Sequence, residues 1–237
     1  MPDFKQMMVV NLQGSKEDNK NVNLLKCLKA QIDNYRELGW ADEDVIIISN
    51  IDLGIDANVR LMNNPNQKCL TGSKTFAILH AYKTGIVDGP VWLHDLDAWQ
   101  NVPFDLPEFK DVGAAEYSTP KYNGGSIFYR PQAVDIIEKV IDLINSAGMN
   151  KEEPALNKIF RSPEYADRVT LLNYTFNVGC SGYTKRYTQA IKPIRVCHFH
   201  PHNRMAWMTH VLDRHKLGES ACPRLVDIFR RHGLACE

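Results

Sequence analysis

The chain carries no surplus of charge. Its 28 Lys and Arg balance 28 Asp and Glu over 237 residues, for a formal net charge of zero. No block of basic residues interrupts it either, which argues against gripping nucleic acid as its main task. Acidic substrates stay open, because a bound cation or a few Lys residues hold a phosphate. No apolar run approaches the ~20 residues of a membrane-spanning helix. The N-terminus, MPDFKQMMVVNLQG, lacks the long apolar region and small-residue cleavage site of a signal peptide. The six Cys (Cys27, Cys69, Cys180, Cys197, Cys222 and Cys236) are scattered, with no CxxC pair. That spacing argues against a disulfide framework or a structural zinc site. The expectation is a reduced, cytoplasmic protein without a transmembrane segment. Internal repeats and linker-like stretches are also missing.

What is there is a core-forming composition, 44% hydrophobic and 24% charged, at a length suited to one domain. Met7–Leu12 reads as a short strand. Asn23–Leu38 follows with apolar residues at helical spacing, and Gly39 ends it. Asp44–Ser49 is a continuous β-branched run, the mark of a strand buried on both faces. Ser73–Tyr82 reads as a helix closed by Gly85, and Pro90–Leu93 as another buried strand. Asp111–Ala115 and Gly125–Tyr129 are expected strands, Pro131–Ala147 a strong amphipathic helix, and Arg168–Leu172 and Ile194–His198 further strands. Met205–His215 and Pro223–Gly233 are expected closing helices. The predicted fold class is α/β: a single Rossmann-like domain with a mixed, mainly parallel central sheet flanked by helices. In such sheets ligands bind beyond the carboxyl ends of the strands.

One of those ends carries Val91-Trp92-Leu93-His94-Asp95-Leu96-Asp97. A buried strand runs straight into two carboxylates one residue apart. In extended backbone, residues i and i+2 share a side, so Asp95 and Asp97 are expected to converge there. Two close carboxylates repel unless a cation neutralises them, and Mn²⁺ or Mg²⁺ accepts such oxygens. A second cluster, Val196-Cys197-His198-Phe199-His200-Pro201-His202, places His residues on alternate positions. It supplies imidazole ligands for Mn²⁺, or alternatively a zinc site from His198, His200 and His202. Cys197 is expected to face the opposite side. In Tyr122-Asn123-Gly124-Gly125-Ser126, the paired Gly permit positive φ or a close backbone approach to a ligand. In Lys151-Glu152-Glu153-Pro154, the acidic residues fit a helix start, and either Glu is a candidate nucleophile or base.

In this order the pieces resemble a GT-A-fold glycosyltransferase. They are most similar to the glycogenin-like family of retaining, Mn²⁺-dependent nucleotide-sugar transferases. WLHDLDA resembles the family's strand and DxD segment. GAAEYSTPKYNGGSIFYRP resembles its acidic residue and Asn-Ser-Gly-Val-type turn. EEPALN stands in place of Asp-Gln-x-x-Leu-Asn, LNYTFNVG resembles Leu-Pro-x-x-Tyr-Asn, and VCHFHPHNRMAW resembles the late His-x-x-Gly-x-x-Lys-Pro-Trp. The likeness spans roughly residues 5–207.

The resemblance implies a metal held by Asp95, Asp97 and His198. It implies a donor-sugar pocket lined by Glu116, Asn123 and Gly124, with Glu152, and beside it Glu153, near the anomeric carbon. Asn11, Gln13 and Asp52 take the place of base- and ribose-binding residues, and Lys74 that of a basic residue near the diphosphate. The family's late Lys is missing; Arg204, or His200 or His202, stands in for its charge. Residues 1–100 form the nucleotide-binding half and 101–237 the donor-sugar and acceptor half. The implied activity is transfer of a hexose from a UDP-sugar, UDP-glucose or UDP-galactose, to a glycan, protein or small-molecule hydroxyl. The C-terminal helices supply an acceptor platform or a homodimer interface. Glu-Glu in place of Asp-Gln opens the alternative of an inverting enzyme with Glu152 or Glu153 as base. A sugar-nucleotide pyrophosphorylase is a runner-up, but only Gln13-Gly14-Ser15-Lys16 follows the first strand where a Gly-rich basic loop belongs. An inactive sugar-binding homologue and a zinc hydrolase built on the late His cluster complete the alternatives. Trp99, Tyr122 and Trp207 are candidates for stacking on a sugar.

Overall fold

The computed structural model describes residues 3–13, 19–63, 72–116, 121–179, 183–199 and 222–234. Its main sheet has seven strands in the order β3-β2-β1-β4-β7-β6-β8. These are β1 (Lys5–Val10), β2 (Val45–Ser49), β3 (Val59–Leu61), β4 (Val91–His94), β6 (Val112–Glu116), β7 (Tyr122–Tyr129) and β8 (Val169–Leu171). All run parallel to their neighbours except β7, which is antiparallel to both β4 and β6. A second sheet of three strands, in the order β5-β10-β9, contains β5 (Ala98–Gln100), β10 (Val196–His198) and β9 (Val178–Gly179). The α/β class and the mixed, mainly parallel sheet are as the sequence predicts.

Alternation along the strands sorts the core into two layers. Met7, Ile46, Ile48, Val91 and Leu93 pack on one face, against α2 (Ser73–Lys83), α3 (Val134–Ser146) and α4 (Glu153–Phe160). Met8, Val45, Ile47 and Trp92 face the other way, towards Leu28, Ile32 and Tyr35 of α1 (Asn19–Glu37). The central strands are therefore buried on both sides, which is why β2 reads as an unbroken apolar run. α3 buries Ile136, Ile137, Val140, Ile141 and Ile144, the stripe its 3.6-residue period predicts. Its first turn, Pro131–Ala133, is 3₁₀ rather than α. A third cluster joins α6 (Pro223–Arg231) to Cys27 and Ala30 of α1 and to Trp99, Val178 and Cys197 of the small sheet. A short helix, α5 (Tyr183–Gln189), leads towards β10.

Several boundaries differ from expectation, each for a local reason. The first strand spans Lys5–Val10 instead of Met7–Leu12. Leu12 has left the ladder, and its N–H and C=O are both taken by the Asn50 side chain, at 2.9 and 2.8 Å. The strand expected from Gly125 starts three residues earlier, at Tyr122. Gly124 and Gly125 sit inside it, and neither is among the positive-φ glycines. Gly39 and Gly85, predicted to end helices, do have positive φ, at 83° and 70°. β3, β5 and β9 were not anticipated. At two or three residues each, they are too short for a periodicity to register. The helix expected over Met205–His215 lies outside the described residues.

Candidate active site

The site forms where β4 leaves the main sheet. The strand runs to His94, one residue beyond the expected end, and pairs there with Ser126 of β7. Asp95 to Asp97 then form a turn into β5, closed by the Ala98 N–H donating to the Asp95 carbonyl at 3.0 Å. The two carboxylates thus converge through a turn, not through the alternation of an extended strand. The turn is held from all sides. Gln31 of α1 donates from Nε2 to the Leu96 and Ala98 carbonyls, both at 2.9 Å. The Phe199 N–H donates to the Asp97 carbonyl at 2.8 Å. His94 Nδ1 lies 2.9 Å from the Asp95 carbonyl, while its Nε2 meets Gln6 Nε2 at 2.7 Å. A carbonyl only accepts, so Nδ1 carries the hydrogen and Nε2 accepts from Gln6. Burial pushes the His94 imidazole down to about 4, so it stays neutral, stacked 4.1 Å from Trp92.

His198, at the end of β10, completes the cluster. Its Nε2 lies 3.3 Å from Asp97 Oδ1 and 3.9 Å from Asp95 Oδ2. One ligand atom from each of Asp95, Asp97 and His198 lies within 4.8 Å of the others. Two carboxylate oxygens and an imidazole nitrogen are a donor set suited to Mn²⁺, with Mg²⁺ second. The imidazole is cradled by Gly125: a Cβ there would come within 2.0 Å of His198 Cε1. The residues present fit a divalent cation.

Behind this cluster lies a buried ion network. Lys74, in the first turn of α2, donates from Nζ to Asp95 Oδ1 at 2.6 Å and to the Gly124 carbonyl at 2.6 Å. The same amine is 2.8 Å from Glu152 Oε1, and Thr75 Oγ1 donates to Glu152 Oε2 at 2.7 Å. Burial pulls the Lys74 amine down, but the two carboxylates outweigh it and its pKa is raised. Glu152 has the opposite balance. Burial pushes it up to about 7, with Lys74 opposing and the Asp95 charge adding to the rise. Lys74 answers to two anions, whereas Glu152 has one cation and a second anion close by. Gly124 is required here too, since a Cβ would meet Glu152 Oε1 at 2.8 Å.

The structure therefore joins Asp95, Asp97, His198, Lys74, Asn123, Gly124, Glu152 and Glu153 by direct contacts. Asn123 donates from Nδ2 to Glu153 Oε1 at 3.0 Å, and Glu153 also faces Lys121 at 3.5 Å. Glu116 belongs to a separate group: its Oε1 accepts from Arg161 at 2.6 Å, and the Arg161 guanidinium lies over the Tyr122 ring. Asn11 reaches the start of α2, donating to Ser73 Oγ at 2.8 Å. Gln13 offers its carbonyl to Asn21, and exposed Asp52 accepts from the Gly54 N–H. Neither contact links Gln13 or Asp52 to the carboxylates. Arg204, His200, His202 and Trp207 lie outside the described residues. Trp99 does not stack on a ligand: it is fully buried, edge-on to Phe229 at 4.7 Å. Tyr122 is buried against Phe160. Cys197 packs in the core, away from His198, as its alternate position predicts. Asn177, Thr75, His94, Gln6 and Gln31 were missed: only His94 and Asn177 fall in segments that the sequence singles out, and the contacts that give all five a role are made across the fold.

No family model matches the chain, and no curated protein matches it in sequence. Solved structures define the class: the fold is that of the GT-A glycosyltransferases. The chain is similar to a glycosyltransferase involved in glycosylation of the major capsid of PBCV-1, with TM-score 0.55 and 15% identity over 82% of this chain and 92% of that one. It is also similar to the galactosyltransferase LgtC in complex with donor and acceptor sugar analogs, with TM-score 0.57 and 14% identity over 97% and 95%. A third is the glycosyltransferase GlyE of Streptococcus pneumoniae, with TM-score 0.55 and 11% identity over 84% of this chain and 56% of that one.

Proposed function

We propose that the protein is a metal-dependent glycosyltransferase of the glycogenin-like kind, moving a hexose from a UDP-sugar to an acceptor hydroxyl. The convergence of Asp95, Asp97 and His198 at the carboxyl end of β4, in a fold shared with glycosyltransferases, carries this reading. In the reaction, the bond from the anomeric carbon to the diphosphate breaks and a bond to the acceptor oxygen forms. Asp95, Asp97 and His198 would hold a Mn²⁺ or Mg²⁺, which when bound would supply Lewis-acid neutralisation of the diphosphate.

The chain's own residues do the rest. Lys74 holds Asp95 by one oxygen and leaves the other turned towards His198. Asn123 and Gly124, beside the same carboxylates, line the sugar side, and the loops bearing Asn11, Gln13 and Asp52 line the base and ribose side. Glu152 is 2% exposed and engaged by Lys74 and Thr75, which favours a charge-balancing role. Glu153 keeps a partly exposed carboxylate and is the better placed of the two to face a substrate. In the retaining reading the acceptor proton leaves with the diphosphate; in the inverting one Glu153 takes it. The test is release of UDP from a panel of UDP-sugars, with Mn²⁺ and with EDTA, for wild type and Asp97→Ala. Mn²⁺-dependent hydrolysis of one donor, lost in the variant, is expected. No turnover and no Mn²⁺-dependent UDP binding would overturn the reading.

A further inference from the structure

Asn177, between β8 and β9, is fully buried and touches the cluster at His198, behind the face that His198 turns to Asp95 and Asp97. We infer that it is a positioning residue: together with Asn123 it fixes His198 as the Nδ1–H tautomer, so that Nε2 presents a lone pair to a cation. The inference rests on the metal reading of Asp95, Asp97 and His198.

The chain of reasoning starts from a backbone group that can only donate. The Gly125 N–H lies 2.9 Å from Asn123 Oδ1, so that atom is the amide oxygen. Asn123 Nδ2 then points at Glu153 Oε1, a proper acceptor. Asn177 Nδ2 donates to the same Asn123 oxygen at 2.7 Å, which turns Asn177 Oδ1 towards His198. His198 Nδ1 therefore faces two amide oxygens, at 3.1 Å from Asn123 and 3.0 Å from Asn177. Both only accept, so Nδ1 carries the hydrogen. A neutral imidazole has its lone pair on the other nitrogen, and Nε2 is the one turned to Asp95 and Asp97. The opposite tautomer would set a lone pair against two oxygens and point an N–H where a cation belongs. An oxygen acceptor behind a ligand His is the usual way a protein fixes which nitrogen binds metal. Asn123 Oδ1 already receives two other N–H groups, so Asn177 supplies the less encumbered acceptor. Without it, Nδ1 keeps one acceptor, an Asn123 oxygen shared with the Gly125 N–H, and the preference for the Nδ1–H tautomer weakens.

The test is ¹⁵N NMR of the imidazoles at alkaline pH, without metal and with the diamagnetic Mg²⁺, with the His198 signal assigned by its loss in His198→Gln. Wild type is expected to show His198 as Nδ1–H. Asn177→Leu is expected to gain the Nε2–H form and to bind Mn²⁺ about 10–100-fold more weakly by EPR titration. A wild-type His198 in the Nε2–H form overturns the inference without any variant. So does a folded Asn177→Leu with unchanged tautomer and unchanged Mn²⁺ affinity, even if its melting temperature falls, because that is a purely structural role. A wild type that shows Nδ1–H but binds neither Mn²⁺ nor Mg²⁺ overturns instead the metal reading beneath, so the two failures are distinct.

Discussion

Gly125→Ala isolates the cradle around His198. The added Cβ would lie 2.0 Å from Cε1, 2.5 Å from Nδ1 and 2.7 Å from Nε2 of the imidazole. Ordinary carbon contacts begin near 3.4 Å, so the ring must retreat by about 1.4 Å. It has nowhere to go without cost, because His198 is 1% exposed and its strand is paired on both sides, to β5 and to β9. Overpacking of this kind costs about 1–3 kcal/mol, a melting temperature lower by about 2–12 °C for a chain of this size. The larger effect falls on the cation. A shift of that size moves Nε2 off Asp97 and breaks both amide contacts to Nδ1, so Mn²⁺ affinity should fall by at least about 100-fold. Gly89→Ala is the control: its Cβ would meet nothing within 4 Å, and Gly89 does not have positive φ. Mn²⁺ titration by EPR with thermal denaturation reads both effects. A Gly125→Ala protein that binds Mn²⁺ like wild type would refute the placement of His198 against this strand.

The network behind the site gives further tests. Folded Glu152, held near 7 by burial against an ordinary 4.5, keeps its proton to higher pH than the unfolded chain. Its contribution to stability is complete below about pH 4.5 and is lost as pH rises through 7. The loss is about 3 kcal/mol. Glu152→Gln should abolish this decline, seen as a pH-dependent difference in urea unfolding between the two proteins; a difference flat from pH 4 to 8 contradicts it. Lys74→Met leaves Glu152 and Asp95 without their cation, and should cost about 3–5 kcal/mol at neutral pH by chemical denaturation; full stability would show the pair to be dispensable. Asp97→Asn removes a ligand and one of two crowded like charges. It should lose Mn²⁺ binding by calorimetry while melting no lower than metal-free wild type.

The sequence made the sheet legible because its strands are buried on both faces. Asp44–Ser49 and Pro90–Leu93 have no reading except core strands, and they are β2 and β4 within a residue. The stripe from Ile136 to Ile144 was equally plain. The Asp95, Asp97 and His198 cluster was legible in composition but not in how the chain assembles it. Asp95 and Asp97 do face one point, yet a turn brings them there. In Asn123-Gly124-Gly125 the paired Gly left open positive φ or a close backbone approach to a ligand. Here the Gly residues lie in a strand, and the missing Cβ atoms make room for Glu152 and for the His198 ring. Such a requirement comes from residues 28 and 73 positions away and leaves no local trace. The same holds for Glu152: as a helix-start acid it looked available, and only the fold reveals Lys74 and Thr75 upon it.

β4 and β5 are consecutive strands in different sheets, and the two aspartates form the elbow between them. His198 reaches that elbow from the small sheet alone, through β10. A cation held there would clasp the two sheets across their hinge. The small sheet, three short strands resting on α6 and one face of α1, is the part of the molecule with most to gain. Its amides should exchange more slowly with Mn²⁺ present, while those of β1 and β2 barely respond. The ion would then do two jobs at once, and the order of the arm that carries His198 would rise and fall with its concentration.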